Sequence, residues 1–380
     1  MSRGFICWRN VLCATLLAGA ALCARAQTAP APQSVDVVSA PSIALILPSA
    51  KTPFARAAEA VRAGFFAAHK ASGDAVAIQM IDIDERAESL AGALATARDR
   101  RVSAVVGPLT RVQVNHLIES GRAGAPPAMP VVTLNYPEWE SGAPPTLLAF
   151  GLAIEHEARR MVQAVLAELD STRTDTSLTP RFLVVGGQSA LSKRATAVCA
   201  DALREGGERA TVVTPTLDKL GLDVMAAAVT RGEFVGAFLA LDAREAMVVR
   251  ARLPKELPLF ATSQVHAGGA EAELTALELE GVRFADMPWL LEPDHTAVMV
   301  YPRPAEAWGA ELQRLYALGI DAYRLAVAWM GGRSQFDLDG VTGQLRVDRA
   351  HSARVERMPS FAVFRSGKVE RLDRAMGRVR

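Results

Sequence analysis

Ile43-Ala44-Leu45-Ile46-Leu47-Pro48 is the stretch whose reading decides the fold. Five consecutive apolar residues leave no polar face, so a strand built from them must be covered on both sides. Pro48 closes the run because it cannot donate to a strand ladder. Phe54, Ala58, Val61, Phe65 and Phe66 then recur at helical spacing, predicting a helix over 54–70. The alternation continues, with strands expected over 76–81, 102–106 and 131–134 and helices over 86–101 and 110–120. A βαβαβαβ series of this kind predicts a parallel sheet with helices on both faces.

A short strand near 146–151 ends the first series, and a second begins. Helices are expected over 154–169, 189–206, 220–230 and 243–253, with strands over 182–185, 210–213, 235–241 and 259–262. A third stretch adds a strand at 281–284, a long helix over 306–329 that Gly319 should break, and a β-rich end from Phe336. Thr342-Gly343 and Ser366-Gly367 are turn signals in that end. The expected fold class is therefore α/β, two Rossmann-like lobes with parallel sheets joined by a hinge. The expected division is 42–150 plus 265–332 for the first lobe and 151–264 plus 333–375 for the second. The chain would cross near Phe150, near Thr262 to Gly281 and near Gly331.

The amino terminus reads as an export signal over 1–26. Arg3 and Arg9 give the positive end, Val11 to Leu22 is an apolar run, and Ala24-Arg25-Ala26 is a small-x-small cleavage site. The run is too short to cross about 30 Å of hydrocarbon. Leu22 is a poor residue before a lipid-bearing Cys23, so a soluble periplasmic form is expected, with 27–41 a flexible leader. Cleavage would remove Cys7, Cys13 and Cys23 of the four cysteines and leave Cys199, which cannot form an intrachain disulfide alone. In its helical pattern Cys199 reads as a small buried hydrophobe.

The 380 residues carry 42 Lys+Arg against 41 Asp+Glu, a balance that argues against electrostatic grip on nucleic acid. Half the chain is hydrophobic, which excludes wholesale disorder. Catalytic signatures are missing: no P-loop, no G-x-G-x-x-G, no G-x-S-x-G and no S-x-x-K. His69, His116, His156, His266, His295 and His351 show no zinc-ligand spacing, so no metal or cofactor is implied. Gly186-Gly187 reads as a plain βα turn, and Asp82 with Asp84 as a solvated one.

Several blocks together resemble the penicillin-binding protein activator (LpoA/LppC) family. The opening Ile43 to Pro48, with Phe54 and Ala60-Val61-Arg62-Ala63-Gly64-Phe65, is similar to the first βα unit of the wider type I periplasmic binding fold. Val105-Val106-Gly107-Pro108-Leu109 and Thr133-Leu134-Asn135 fit both. Three further blocks are more discriminating and in this order resemble the activator family closely: Phe260-Ala261-Thr262-Ser263-Gln264, Gly281 through Leu291, and Leu315 through Tyr323. The resemblance runs from about residue 43 to residue 372. It implies regulation of a peptidoglycan synthase by protein contact, with a penicillin-binding protein as partner and no catalysis. The best-known members also carry an amino-terminal helical-repeat domain, whereas a short leader precedes Ile43 here.

The alternative is a solute receptor of an uptake transporter. In open α/β sheets, ligands sit beyond the carboxyl ends of the strands. That rule selects Ser49, Thr52, Gly107, Thr110, Asn135, Tyr136, Gln188, Ser189, Asp242 and Gln264 as cleft candidates. Asp242 is their one charge, a thin set for an amino acid. Trp289, Tyr316 and Tyr323 read as buried core.

Overall fold

The apolar run at Ile43 forms the centre of the first sheet. A computed structural model describes residues 40–138, 143–172, 181–304 and 307–375. The expected export signal and all but the last two residues of the leader lie outside the described residues. Strand β1 (Ser42–Pro48) is wholly buried. Its side chains alternate between two cores. Ile43, Leu45 and Leu47 enter one, and Ala44 and Ile46 the other.

Around β1 run β2 (Ala77–Ile83), β3 (Ala104–Val106), β4 (Val131–Thr133) and β5 (Leu147–Ala149). All are parallel, in the order β2-β1-β3-β4-β5. Helices α1 (Ala55–Ser72), α2 (Ala87–Asp99) and α3 (Arg111–Arg122) connect them. The second lobe repeats the plan. Helices α4 (Ile154–Thr172), α5 (Ala190–Glu205), α6 (Lys219–Arg231), α7 (Ala243–Arg250) and α8 (Ala272–Glu278) surround five parallel strands. These are β6 (Arg181–Gly186), β7 (Arg209–Val213), β8 (Gly236–Ala240), β9 (Leu259–Ala261) and β10 (Val282–Asp286). Their order, β7-β6-β8-β9-β10, is that of the first sheet.

Short helices α9 (Pro288–Leu291) and α10 (Thr296–Met299) lead to the long α11 (Ala310–Met330). Then come β11 (Gln335–Asp339), β12 (Gln344–Asp348), β13 (Glu356–Met358), β14 (Ser360–Arg365) and β15 (Lys368–Leu372). The first three of these strands form an antiparallel sheet of their own. The last two extend the second lobe's sheet, β14 running antiparallel to β10.

The third stretch is divided differently from the expectation. β10 falls within the expected first-lobe segment 265–332, yet it pairs with β9 in the second sheet. The reason is apolar: Val282 and Phe284 bury in the second lobe's core with Phe364. Conversely, β11 to β13 fall in the expected second-lobe segment. Phe336, Leu345, Val347 and Val355 nevertheless pack into the first lobe's core with α11. The crossings therefore lie between β5 and α4, between β10 and α11, and between β13 and β14. Gly319 does not break α11, which is continuous from Ala310 to Met330. Trp289, Tyr316 and Tyr323 are buried.

Candidate functional site between the lobes

Three crossings bring α4, β10 and β13 to one place, and a buried charged cluster joins them. Asp286 ends β10 and is 1 % exposed; Arg314 lies one turn into α11. Arg314 grips the carboxylate in two-pronged fashion, Nε to Oδ1 at 3.0 Å and Nη2 to Oδ2 at 2.7 Å. Its Nη2 also donates to the carbonyls of Ser263 and His266. His266 Nδ1 lies 2.8 Å from Asp286 Oδ2, and the Met287 amide donates to Oδ1. Burial alone would raise the Asp286 carboxyl. The Arg314 charge and the bonds from His266 and Arg314 outweigh it and hold Asp286 well below the usual carboxylate range.

Glu157, in the first turn of α4, is the second acid of the cluster. It accepts from the Ser263 amide and, at 3.1 Å, from the Ser263 hydroxyl. Arg357 of β13 approaches it at 3.6 Å and donates to the Thr342 carbonyl at 3.0 Å. Burial raises the Glu157 carboxyl, and the more distant Arg357 offsets this only in part. Both acids belong to second-lobe elements and both arginines to first-lobe elements, so the two pairs tie the lobes together at their crossings.

Beside this cluster lies a cavity of about 880 Å³ with walls from both lobes. Arg56, Glu311 and Arg314 face it from the first lobe, and Glu157, Asp242 and Gln264 from the second. Its volume is within the range of small-molecule sites. Of the ten sequence candidates, Asp242 and Gln264 line it. Gln264 Oε1 is buried there without a hydrogen-bond partner. Asp242 also caps α7, accepting from the Glu245 amide at 2.9 Å in a reciprocal capping box.

The other eight candidates are placed outside this cavity's lining. Thr110 and Ser189 cap α3 and α5. Thr52 bonds the Ser49 carbonyl, and the Ser49 amide bonds Ile83. Asn135 ties its own loop, donating to Leu109 and accepting from the Tyr136 amide. Tyr136 is buried, its hydroxyl on the Val355 carbonyl and its ring 4.4 Å from that of His156. Gly107, at φ 116, lies against β1, where a Cβ would come within 2.1 Å of the Ile46 carbonyl oxygen. Gln188 is exposed. Sequence reasoning missed Glu157, Ser263, His266, Asp286, Arg314 and Arg357. The available signal was Asp286, a lone acid inside the apolar block from Val282 to Leu291. Among the described residues no group of three or more His, Cys, Asp and Glu is placed to hold a metal. None of their helices is long and apolar enough to cross a membrane.

Two parallel sheets of one strand order, joined by three crossings beside a shared cavity, define a type I periplasmic binding protein fold. The chain belongs to the family described as "LppC putative lipoprotein", whose model matches residues 33–184 and 203–367. Its relatives include the penicillin-binding protein activator LpoA of Klebsiella pneumoniae, 27% identical over a 316-residue alignment that covers 75% of this chain and 43% of that protein. The activator LpoA of Vibrio cholerae is 25% identical over 83% of this chain and 56% of its own length. The chain thus spans about half the length of the curated relatives it matches. Among solved structures, a Chromobacterium violaceum protein described as a "putative branched-chain amino acid ABC transporter" is 33% identical. It has a TM-score of 0.68 and is covered over 99% of its length by 85% of this chain. The carboxy-terminal domain of Haemophilus influenzae LpoA, described as a regulator of PBP1A, has a TM-score of 0.69 at 20% identity. There 87% of this chain covers 99% of that domain. The family's description fits an exported envelope protein and does not support the expectation of a form without lipid.

Proposed function

We propose that this chain regulates a peptidoglycan synthase by direct contact with a penicillin-binding protein, without catalysing a reaction itself. The carrying observation is that relatives named as penicillin-binding protein activators align along most of its two-lobed body. The buried pairs Asp286–Arg314 and Glu157–Arg357 support this reading, because they hold the lobes as one preorganised surface. The site of action is the cell envelope, where an export signal over 1–26 would deliver the chain.

The test is reconstitution of the purified chain with a bifunctional penicillin-binding protein from the same cell. Binding and a change in glycan polymerisation or peptide cross-linking are expected. No association together with unchanged synthesis would overturn the proposal.

A second reading, a receptor for a small polar solute, is favoured by the 880 Å³ cavity and by the Chromobacterium violaceum relative. A thermal-shift screen with amino acids, sugars and cell-wall fragments separates the two. A rise of several degrees with one solute, and no effect on a synthase, would favour the receptor.

A further inference from the structure

A second cavity, of about 450 Å³, meets the inter-lobe cavity at His266 and Ala310 and takes most of its remaining wall from the crossing between β10 and α11, with Gly268 and Gln313 beside it. Arg303 stands at its wall in an unusual state of order for an exposed side chain. Its guanidinium carbon lies 4.0 Å from the ring centre of the fully buried Trp289. One terminal nitrogen donates to the Trp289 carbonyl at 2.7 Å. Stacking and that bond fix the plane of the fork, leaving its remaining N–H donors for something else. Among the described residues the contacts of Arg303 are to Trp289, no carboxylate pairs with it, and none of the cavity's lining is acidic. The Trp289 indole N–H is a further buried donor without an acceptor. Leu290, Pro304, Ala307 and Trp308 supply apolar wall, and Gln313 is held by the Trp308 carbonyl.

A planar fork held in place, with no carboxylate paired to it among the described residues, matches a carboxylate in two-point fashion. Apolar walls around it select a ligand with a compact apolar group beside that carboxylate. We infer that the Trp289–Arg303 pocket binds small carboxylate-bearing molecules with an apolar flank, at a place separate from the inter-lobe cavity. The inference is independent of the proposed synthase contact and stands or falls without it.

Isothermal titration of the purified chain with N-acetyl-leucine tests it. Saturable binding is expected, with N-acetyl-leucinamide and inorganic phosphate weaker by about tenfold or more, since the amide lacks the charge and phosphate lacks the apolar flank. Arg303→Gln should abolish binding, and Arg303→Lys, which keeps charge but loses the fork, should weaken it. Circular dichroism melts confirm that each variant folds. If Arg303→Gln does not fold, Arg303→Lys decides. No saturable heat with N-acetyl-leucine would overturn the inference. So would equal binding of the amide or of phosphate, or binding unchanged by the Arg303 substitutions.

Discussion

Gly64 of α1 and Gly319 of α11 face each other's helices at one close crossing. A Cβ on Gly64 would lie 1.8 Å from the Tyr316 carbonyl oxygen, and one on Gly319 would lie 2.0 Å from that of Val61. Neither helix tolerates a side chain there, so the two backbones meet directly. The glycine that sequence reading treats as a helix break is a contact surface.

Replacing either glycine should therefore destabilise the first lobe despite alanine's better helix propensity. Overpacking costs about 1–3 kcal/mol, against about 1 kcal/mol gained from propensity. Backbone atoms this close cannot yield as a flexible side chain would, so the upper end or more is expected for Gly64→Ala and Gly319→Ala. Gly92, in α2, has nothing within 4 Å of its would-be Cβ. Gly92→Ala should stabilise by about 0.5–1 kcal/mol. Urea denaturation of the three variants gives the contrast, and a neutral Gly319→Ala would show that the helices can separate at little cost.

Arg314→Met should be among the most damaging single changes. It leaves the Asp286 carboxylate buried with His266 and the Met287 amide as remaining partners. Breaking a buried pair by removing one partner costs about 3–5 kcal/mol. Asp286→Asn tests the same pair by pH. The folded Asp286 carboxyl is held below its unfolded value of about 3.9. The unfolded state therefore takes up the proton first on acidification. The contribution is complete above about pH 4 and is lost as pH falls toward the folded value. Wild type should exceed Asp286→Asn in stability at pH 7, and the gap should narrow steadily below about pH 4. A constant gap from pH 7 to pH 3 would contradict the assignment.

Asp321 should prove as important as any apolar core residue. It is fully buried in α11 and accepts from the Val341 amide at 3.1 Å, the Thr342 amide at 2.8 Å and the Thr342 hydroxyl at 2.7 Å. Arg324 adds an ion pair at 3.2 Å. The acid thus holds the turn between β11 and β12 against the helix. Asp321→Ala would strand three donors, and about 3 kcal/mol of destabilisation is expected. Amide exchange should accelerate first at Val341 and Thr342. Protection unchanged at those amides would show that another group holds the turn.

The sheets were legible because their side chains are simple. A strand covered on both faces reads as an unbroken apolar run, and Ile43 to Leu47 is one. The division of the third stretch was not legible. Local pattern does not say that Phe284 seeks Phe364, nor that Phe336 and Val347 pack into the first lobe's core beside α11. The ten cleft candidates came from a general rule about strand ends. In this chain many of those side chains close local turns and caps, as Thr110, Asn135 and Ser189 do. The cluster that fills the lobe junction comes from charged residues far apart in sequence. Arg314 on a helix and Arg357 near a strand end look like solvated charge until the crossings bring acids to them.

The last expectation concerns how the lobes move. A receptor that traps its solute needs two lobe angles of similar energy. Here Glu157 on α4 and Arg357 on β13 are both nearly inaccessible, and Asp286 and Arg314 form a second tie beside them. Opening would expose or separate both pairs, so one angle should dominate. Spin labels on exposed positions of α2 and α6 should give a single narrow distance distribution by double electron–electron resonance. Arg357→Met removes one tie and leaves Glu157 with Ser263 alone, so it should broaden the distribution. Two resolved distances in the wild type, with the balance shifted by an added solute, would instead identify a closing receptor and count against regulation by a fixed surface.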